Sequence, residues 1–232
     1  MLALRICSVR RTTPSTRIVR VDLGSERFRY LAGQAAHIGP EDADTLVPYS
    51  IASAPEDTVK GRFLEFLIKV DADGRWGNAF PALRRGARLR VKGALGRFTS
   101  PERPSERHFL FIAGGTGIAP MRSMIRHARA MGHRGRMSVL YSARTPDDFA
   151  YRGELRGMAR RGELRLMLTA TRGPDEGWRG ARGRITVTQL ELLLDDPATL
   201  CFVCGPAAMV DDVPRMLQQL GVEKGRIRIE EW

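Results

Sequence analysis

Cysteine is scarce in this chain of 232 residues: Cys7, Cys201 and Cys204 are all it has. Three thiols make no disulfide framework, suit a reducing compartment, and are too few to hold an iron–sulfur cluster. Long apolar runs are also missing. None approaches the roughly 20 residues of a membrane-spanning helix, so a spanning protein is excluded and a cytoplasmic one is expected. The start lacks the order of a secretory signal, which places its positive charge first and its small residues last; here a short apolar stretch precedes the arginines, and residues 2–9 alternate as a strand does. Only four histidines occur, His37, His108, His127 and His133. They show no nucleophile motif and no metal-ligand spacing, so a hydrolase or metal enzyme is poorly supported and surface or helix-capping roles are expected. Acidic residues are outnumbered, 26 against 38 basic ones, for a net charge of +12.

That excess is almost all arginine and is spread over both halves of the chain. A nucleic-acid binder concentrates its charge in a stripe beside a reading helix. Diffuse basicity favours instead an acidic protein partner or phosphate-bearing ligands, drawn by long-range attraction. The length allows one large domain or two small ones.

The periodicity changes part-way along. Up to about residue 100, short alternating runs at 4–9, 17–23, 63–70 and 88–91 are separated by turn residues and read as antiparallel strands. The run 63–68 alternates only in part, as expected of a strand covered on both faces in a closed barrel. Residues 99–107, TSPERPSER, carry two prolines and almost nothing apolar, and read as a linker. Strands at 108–113, 137–142, 164–169, 200–204 and 226–230 then alternate with helical stretches at 120–131, 151–161, 188–194 and 206–220. Such alternation implies a parallel sheet of about five strands with helices on both faces.

Four segments carry chemistry. In FIAGGTGIAPMRSM a strand runs into Gly114, Gly115, Thr116 and Gly117, with Pro120 where a helix begins. Glycines let backbone approach an anion, and a helix start offers free N–H groups; the spacing matches neither standard nucleotide fingerprint, so the pattern alone says only that an anion binds near a helix N-terminus. In CFVCGPAAM a strand ends in a Gly-Pro turn, where open parallel sheets bind ligands. Its C-x-x-C spacing puts the two thiols on opposite strand faces, so they cannot chelate together; Cys201 is expected in the core and Cys204 at a ligand. Third, residues 47–53 set an aromatic ring, Tyr49, beside a hydroxyl, Ser50, suited to stacking on a planar heterocycle and bonding its edge. Gly74-Arg75-Trp76-Gly77 offers a second anion-receiving turn.

Together with Ala32-Gly33-Gln34, the stretch from Gly93 to Phe98 and the ending Glu230-Glu231-Trp232, these motifs in this order resemble the ferredoxin-NADP reductase family of flavoproteins over nearly the whole chain. The resemblance implies an antiparallel six-stranded Greek-key barrel binding flavin, residues 1–101. A Rossmann-like parallel five-stranded NAD(P)-binding α/β domain follows, residues 108–232. It implies hydride transfer from NAD(P)H to FAD, and single-electron transfer to a separate acidic acceptor such as ferredoxin or flavodoxin. Free-flavin or ferric reductase activity, or a flavin-depleted regulatory module of the same fold, are the alternatives.

By that resemblance Pro48, Tyr49, Ser50, Ile51 and Ser53 contact the flavin, with Tyr49 stacking on its ring and Ser50 near N5. Leu67, Ile68, Lys69 and Val70 line its ribityl side. Gly74, Arg75, Trp76 and Gly77 form its phosphate loop, and Trp232 covers its other face. Gly115 and Gly117 receive the nicotinamide coenzyme's pyrophosphate, Thr116 sits between the two cofactors, Cys204 flanks the nicotinamide ring, and Pro120, Gly205, Pro206 and Met209 are further cofactor-binding residues. Glu230 orients the reacting pair; Ser50, Cys204 and Glu230 are the expected catalytic residues. Two positions depart from the family pattern. Val47 stands where a phosphate-pairing arginine is expected and Gly77 where a serine or threonine is. Arg75 is the expected substitute, with FMN or a loosely held flavin as the alternative. Arg144, Arg172 and Arg184 fall where relatives gather charge around the extra phosphate of NADPH, which favours NADPH over NADH.

Overall fold

The computed structural model describes residues 1–42, 45–70, 83–102, 106–173 and 177–231. Its contacts divide the chain into two compact units, Met1–Pro104 with Ala119–Gly132, and Ser105–Ile118 with His133–Trp232.

The first unit is built on six antiparallel strands: β1 (Leu2–Thr13), β2 (Thr16–Asp22), β3 (Ala35–Pro40), β4 (Val47–Ser50), β5 (Phe63–Lys69) and β6 (Arg88–Leu95). They run in the order β4-β3-β6-β1-β2-β5. An isolated antiparallel bridge between Ile51 and Phe66 joins the two ends, closing the barrel that the half-alternating run at 63–68 implies. Alternate residues turn inward, so Val19, Val21, Leu64, Phe66, Ile68, Leu89 and Val91 fill the interior with Ile6, Ile38 and Ile51. Helix α1 (Pro55–Gly61) plugs the chain between β4 and β5. Its start is set by Pro55 in the first turn and by Asp57, whose carboxylate takes the Ala54 N–H. Helix α2 (Ile118–Ala130) belongs to this unit by the contacts of Ala119 onward.

The second unit carries six parallel strands rather than five: β7 (His108–Gly114), β8 (Arg136–Ala143), β9 (Arg165–Ala170), β10 (Ala181–Arg182), β11 (Leu200–Gly205) and β12 (Ile227–Glu231). Their order is β10-β9-β8-β7-β11-β12, and the added strand, β10, is two residues long. Helices α3 (Arg152–Arg160), α4 (Val187–Glu191) and α5 (Ala207–Gln219) supply the crossovers. Strands β7 and β11 are buried along their whole length, as central parallel strands covered on both faces must be. The strand order reverses between β7 and β11, which places the switch point, where such sheets bind ligands, beside the glycine loop.

Two histidines expected at the surface lie inside. His108 is 3% exposed, because Thr199 Oγ1 at 3.0 Å and Ser138 Oγ at 2.9 Å satisfy both ring nitrogens. Burial lowers its pKa, against the opposing pull of Asp195. His127 is buried in α2, its Nδ1 2.9 Å from Glu56 Oε1.

Candidate functional site

In the second unit the carboxyl ends of β7 and β11 lie side by side, with Cys204 level with Ala113 on one flank and with Glu230 of β12 on the other. After β7 the chain makes one 3-10 turn, Gly115–Gly117, and enters α2. Gly115 sits at φ +54, in the left-handed region. Gly117 is needed for closeness: a Cβ there falls 2.3 Å from the Cys204 carbonyl oxygen and 3.1 Å from its sulfur. Gly114 and Gly205 also approach each other, with Met209 and Pro206 filling the space a Cβ would take. The loop is thus a backbone-lined cradle, which suits the pyrophosphate of a dinucleotide. Tyr141 holds it from below, donating to the Gly115 carbonyl at 2.9 Å and accepting the Ala150 N–H at 3.2 Å. Burial pushes the pKa of that phenol up, which keeps it a donor.

The Cys204 thiol is buried, and it donates to Glu230 Oε2 at 3.9 Å. Burial raises its pKa well above the ordinary thiol value, and the Glu230 carboxylate raises it further. The group is therefore a neutral thiol rather than a nucleophile. Cys201 is a core residue, as its strand face requires, with burial pushing its pKa up to about 12. Thr116 is half-buried in the loop. Pro120 is buried within the first turn of α2, which starts two residues earlier, and Met209 packs against the core of the sheet, so both contribute packing. Pro206 is the exposed residue opening α5. Arg144, Arg172 and Arg184 are exposed just beyond β8, β9 and β10. The Arg172 N–H donates to the Arg144 carbonyl at 2.6 Å, which brings those two together.

In the barrel unit, Tyr49 and Ser50 are half-buried on β4, opposite Ala36 and Ala35 of β3. Tyr49 packs in part against the barrel core, and Ser50, the next residue on the strand, turns to the other face. Pro48 is exposed beside them and Val47 rests on the barrel core. The expected contacts are not all alike. Ile51 and Ile68 are fully buried with side chains in the barrel interior, and Leu67 is buried too, so backbone is what these three can offer a ligand. Lys69 and Val70 are half-buried at the strand end. The Ser53 hydroxyl is enclosed and bonded to Tyr30, to Thr58 and to the Glu65 N–H at 3.1 Å. Its work is internal rather than contact with a ligand. Gly74, Arg75, Trp76, Gly77 and Trp232 lie outside the described residues.

Sequence reasoning missed Tyr141 and the polar face of α2 formed by Arg122, Ser123, Arg126 and His127. The signal for the latter was four polar residues in two adjacent pairs, four apart, on a helix otherwise buried. Among the described residues no group of side chains could hold a metal ion, and no helix is long and apolar enough to cross a membrane.

Comparison with known proteins gives one match before the linker and one after it, the second including residues 119–132 of the first unit. Residues 3–100 match the oxidoreductase FAD-binding domain and residues 111–215 the oxidoreductase NAD-binding domain. Ferredoxin-NADP reductase B of Sorangium cellulosum is 32% identical over 240 residues, covering 98% of this chain and 96% of that protein. The chain belongs to the ferredoxin-NADP reductase family. This family member is thus an NAD(P)H-dependent flavoprotein oxidoreductase with FAD as its flavin. A glycine betaine monooxygenase reductase subunit of Pseudomonas aeruginosa is 34% identical over 186 residues, 78% of this chain and 50% of that one. A solved ferredoxin NADP+ reductase from Neisseria gonorrhoeae, with bound FAD and NADP, shares the fold at TM-score 0.83 and 20% identity, covering 99% of this chain and 98% of that one.

Proposed function

We propose that this reductase takes hydride from NADPH onto FAD and passes the two electrons singly to a separate acidic protein of the ferredoxin or flavodoxin kind. Residues 1–101 serve the flavin and residues 108–232 the nucleotide. The observation that carries the reading is the strand-end pair of Cys204 and Glu230 beside the Gly117 cradle. Bound FAD supplies a two-electron acceptor able to release electrons one at a time. The chain's own part is alignment and electrostatics. Tyr49 offers a face for stacking, Ser50 a hydroxyl for the flavin edge, and Gly115 and Gly117 backbone for the pyrophosphate. Cys204, as a neutral thiol, would flank a bound nicotinamide without adding to the ring as a thiolate would. The Glu230 carboxylate favours the positive charge that develops on the nicotinamide as hydride leaves. Arg144 and Arg172 support NADPH over NADH, since guanidinium groups pair with the extra phosphate. The net charge of +12 supports an acidic acceptor by steering its approach.

A visible spectrum before and after anaerobic NADPH tests this reading: a flavin band that bleaches, then recovers on adding an acidic ferredoxin, is expected. Val47 favours a second reading, a regulatory module with weak flavin, because it removes a charge-assisted phosphate contact worth about 1.5–3 kcal/mol. A colourless protein that FAD cannot reconstitute would establish that second reading and overturn the first.

A further inference from the structure

Four side chains on one face of α2 grip the segment that leaves the Tyr49–Ser50 strand. Arg122 Nη1 donates to the Ala52 carbonyl at 2.6 Å, and Ser123 Oγ donates to the next carbonyl, that of Ser53, at 2.7 Å. One turn later Arg126 Nη2 donates to Asp57 Oδ1 at 2.6 Å, and His127 meets Glu56. The Ala52 N–H donates to the Glu65 carbonyl at 2.7 Å. The Glu65 carboxylate receives Arg122 at 3.0 Å and Arg20 at 2.6 Å. The Glu65 side chain is 1% exposed and that of Arg122 8%.

A buried ion pair is a poor way to gain stability, since apolar residues of similar volume do as well or better. Helix α2 already has Met121, Met124, Ile125 and Ala128 for packing. What the charged pair adds is direction: the guanidinium fixes the Ala52 carbonyl at one point, which apolar packing does not do. Ala52 is two residues beyond Ser50 on the same extended run.

We propose that Arg122, neutralised by Glu65, is a positioning residue for the flavin, holding the exit of its strand so that the Tyr49 ring and Ser50 hydroxyl keep their register. The proposal rests on the reading of Tyr49 and Ser50 as flavin contacts. The test uses the full chain and FAD. The double variant Arg122→Met/Glu65→Leu removes both charges and leaves no unpaired buried carboxylate, and Arg20, 41% exposed, can turn to water. It is expected to fold with unchanged circular dichroism. Its FAD dissociation constant, read by flavin fluorescence quenching, and its rate of flavin bleaching by NADPH should worsen on the order of 10- to 100-fold, as small misplacements at reacting groups do. The bound-flavin absorption band should lose its resolved shoulders, and Arg122→Lys, which still donates to Ala52, should recover part of each effect. A folded double variant with wild-type FAD affinity, spectrum and bleaching rate overturns the proposal. Should the double variant fail to fold, Glu65→Gln decides in the same assays: a weakened FAD complex supports the role, and an unchanged one overturns it. A wild-type chain that takes up no FAD overturns the underlying reading, a result visible before any variant is made.

Discussion

Replacing Gly117 by alanine tests the backbone cradle directly. The added methyl lies 2.3 Å from the Cys204 carbonyl oxygen and 2.7 Å from its carbon, where carbon contacts need about 3.5 Å, so the ends of β7 and β11 must part by about 1 Å. The opposing atoms belong to backbone in a central strand buried along its length, so no side chain can swing aside. Overpacking of this kind costs about 1–3 kcal/mol, which in a chain of this size lowers the melting temperature by about 2–12 °C. The same displacement moves Cys204 and the loop, so the KM for NADPH should rise at least about tenfold. Gly157→Ala is the matched control. It lies inside α3, its methyl meets only the end of the Arg161 side chain at 3.3 Å, and it should stabilise by about 0.5–1 kcal/mol. Differential scanning fluorimetry and steady-state kinetics read both. A Gly117→Ala protein that melts and binds NADPH like the wild type would refute the close-approach argument.

Three further outcomes are expected. Cys204→Ser should slow flavin bleaching without releasing the chromophore, and the wild-type bleaching rate should show no thiolate limb up to pH 9, because burial and Glu230 hold the thiol protonated; stopped-flow across pH checks both. Cys201 ionises near 9.0 when unfolded but only at about 12 when folded, so its contribution to stability is intact below pH 9 and drains away as pH climbs towards 12. Urea titrations of wild type and Cys201→Ala should converge over that range. Burial acts to raise the Asp57 pKa, but the Arg126 hydrogen bonds and charge outweigh it and lower the value below 3.8; the stabilisation is present above that pH and lost as acid is added. Asp57→Asn should cost about 1 kcal/mol at neutral pH for this partly exposed pair and soften the acid transition in a circular-dichroism titration.

The barrel strands and the parallel sheet could be read from sequence because alternation and βα spacing are local signals, as at 17–23 and 200–204. Strand β3 escaped since AAHIGP offers little β-branched bulk, and its place is set by partners on β4 and β6. Helix α1 is seven residues long with one buried side chain, Thr58, too little for a helical stripe to show. The glycine loop and Cys204 were legible because a strand running into glycine punctuates the pattern. The α2 grip was not, since Arg122 and Ser123 meet carbonyls 70 positions earlier, and no spacing rule links residues so far apart.

Among the described residues the barrel's seam is held by the isolated Ile51–Phe66 bridge and the adjoining Ala52 N–H to Glu65 carbonyl bond, while β1 and β2 pair along their length. Breathing motions should begin where the fewest rungs must break, so amide exchange at Ala52 will run ahead of exchange at Val19 and Val21. A flavin bound along that run, as proposed above, would act as a bolt across the opening. Its capture should therefore appear in deuterium uptake as slowed exchange at residues 51–53.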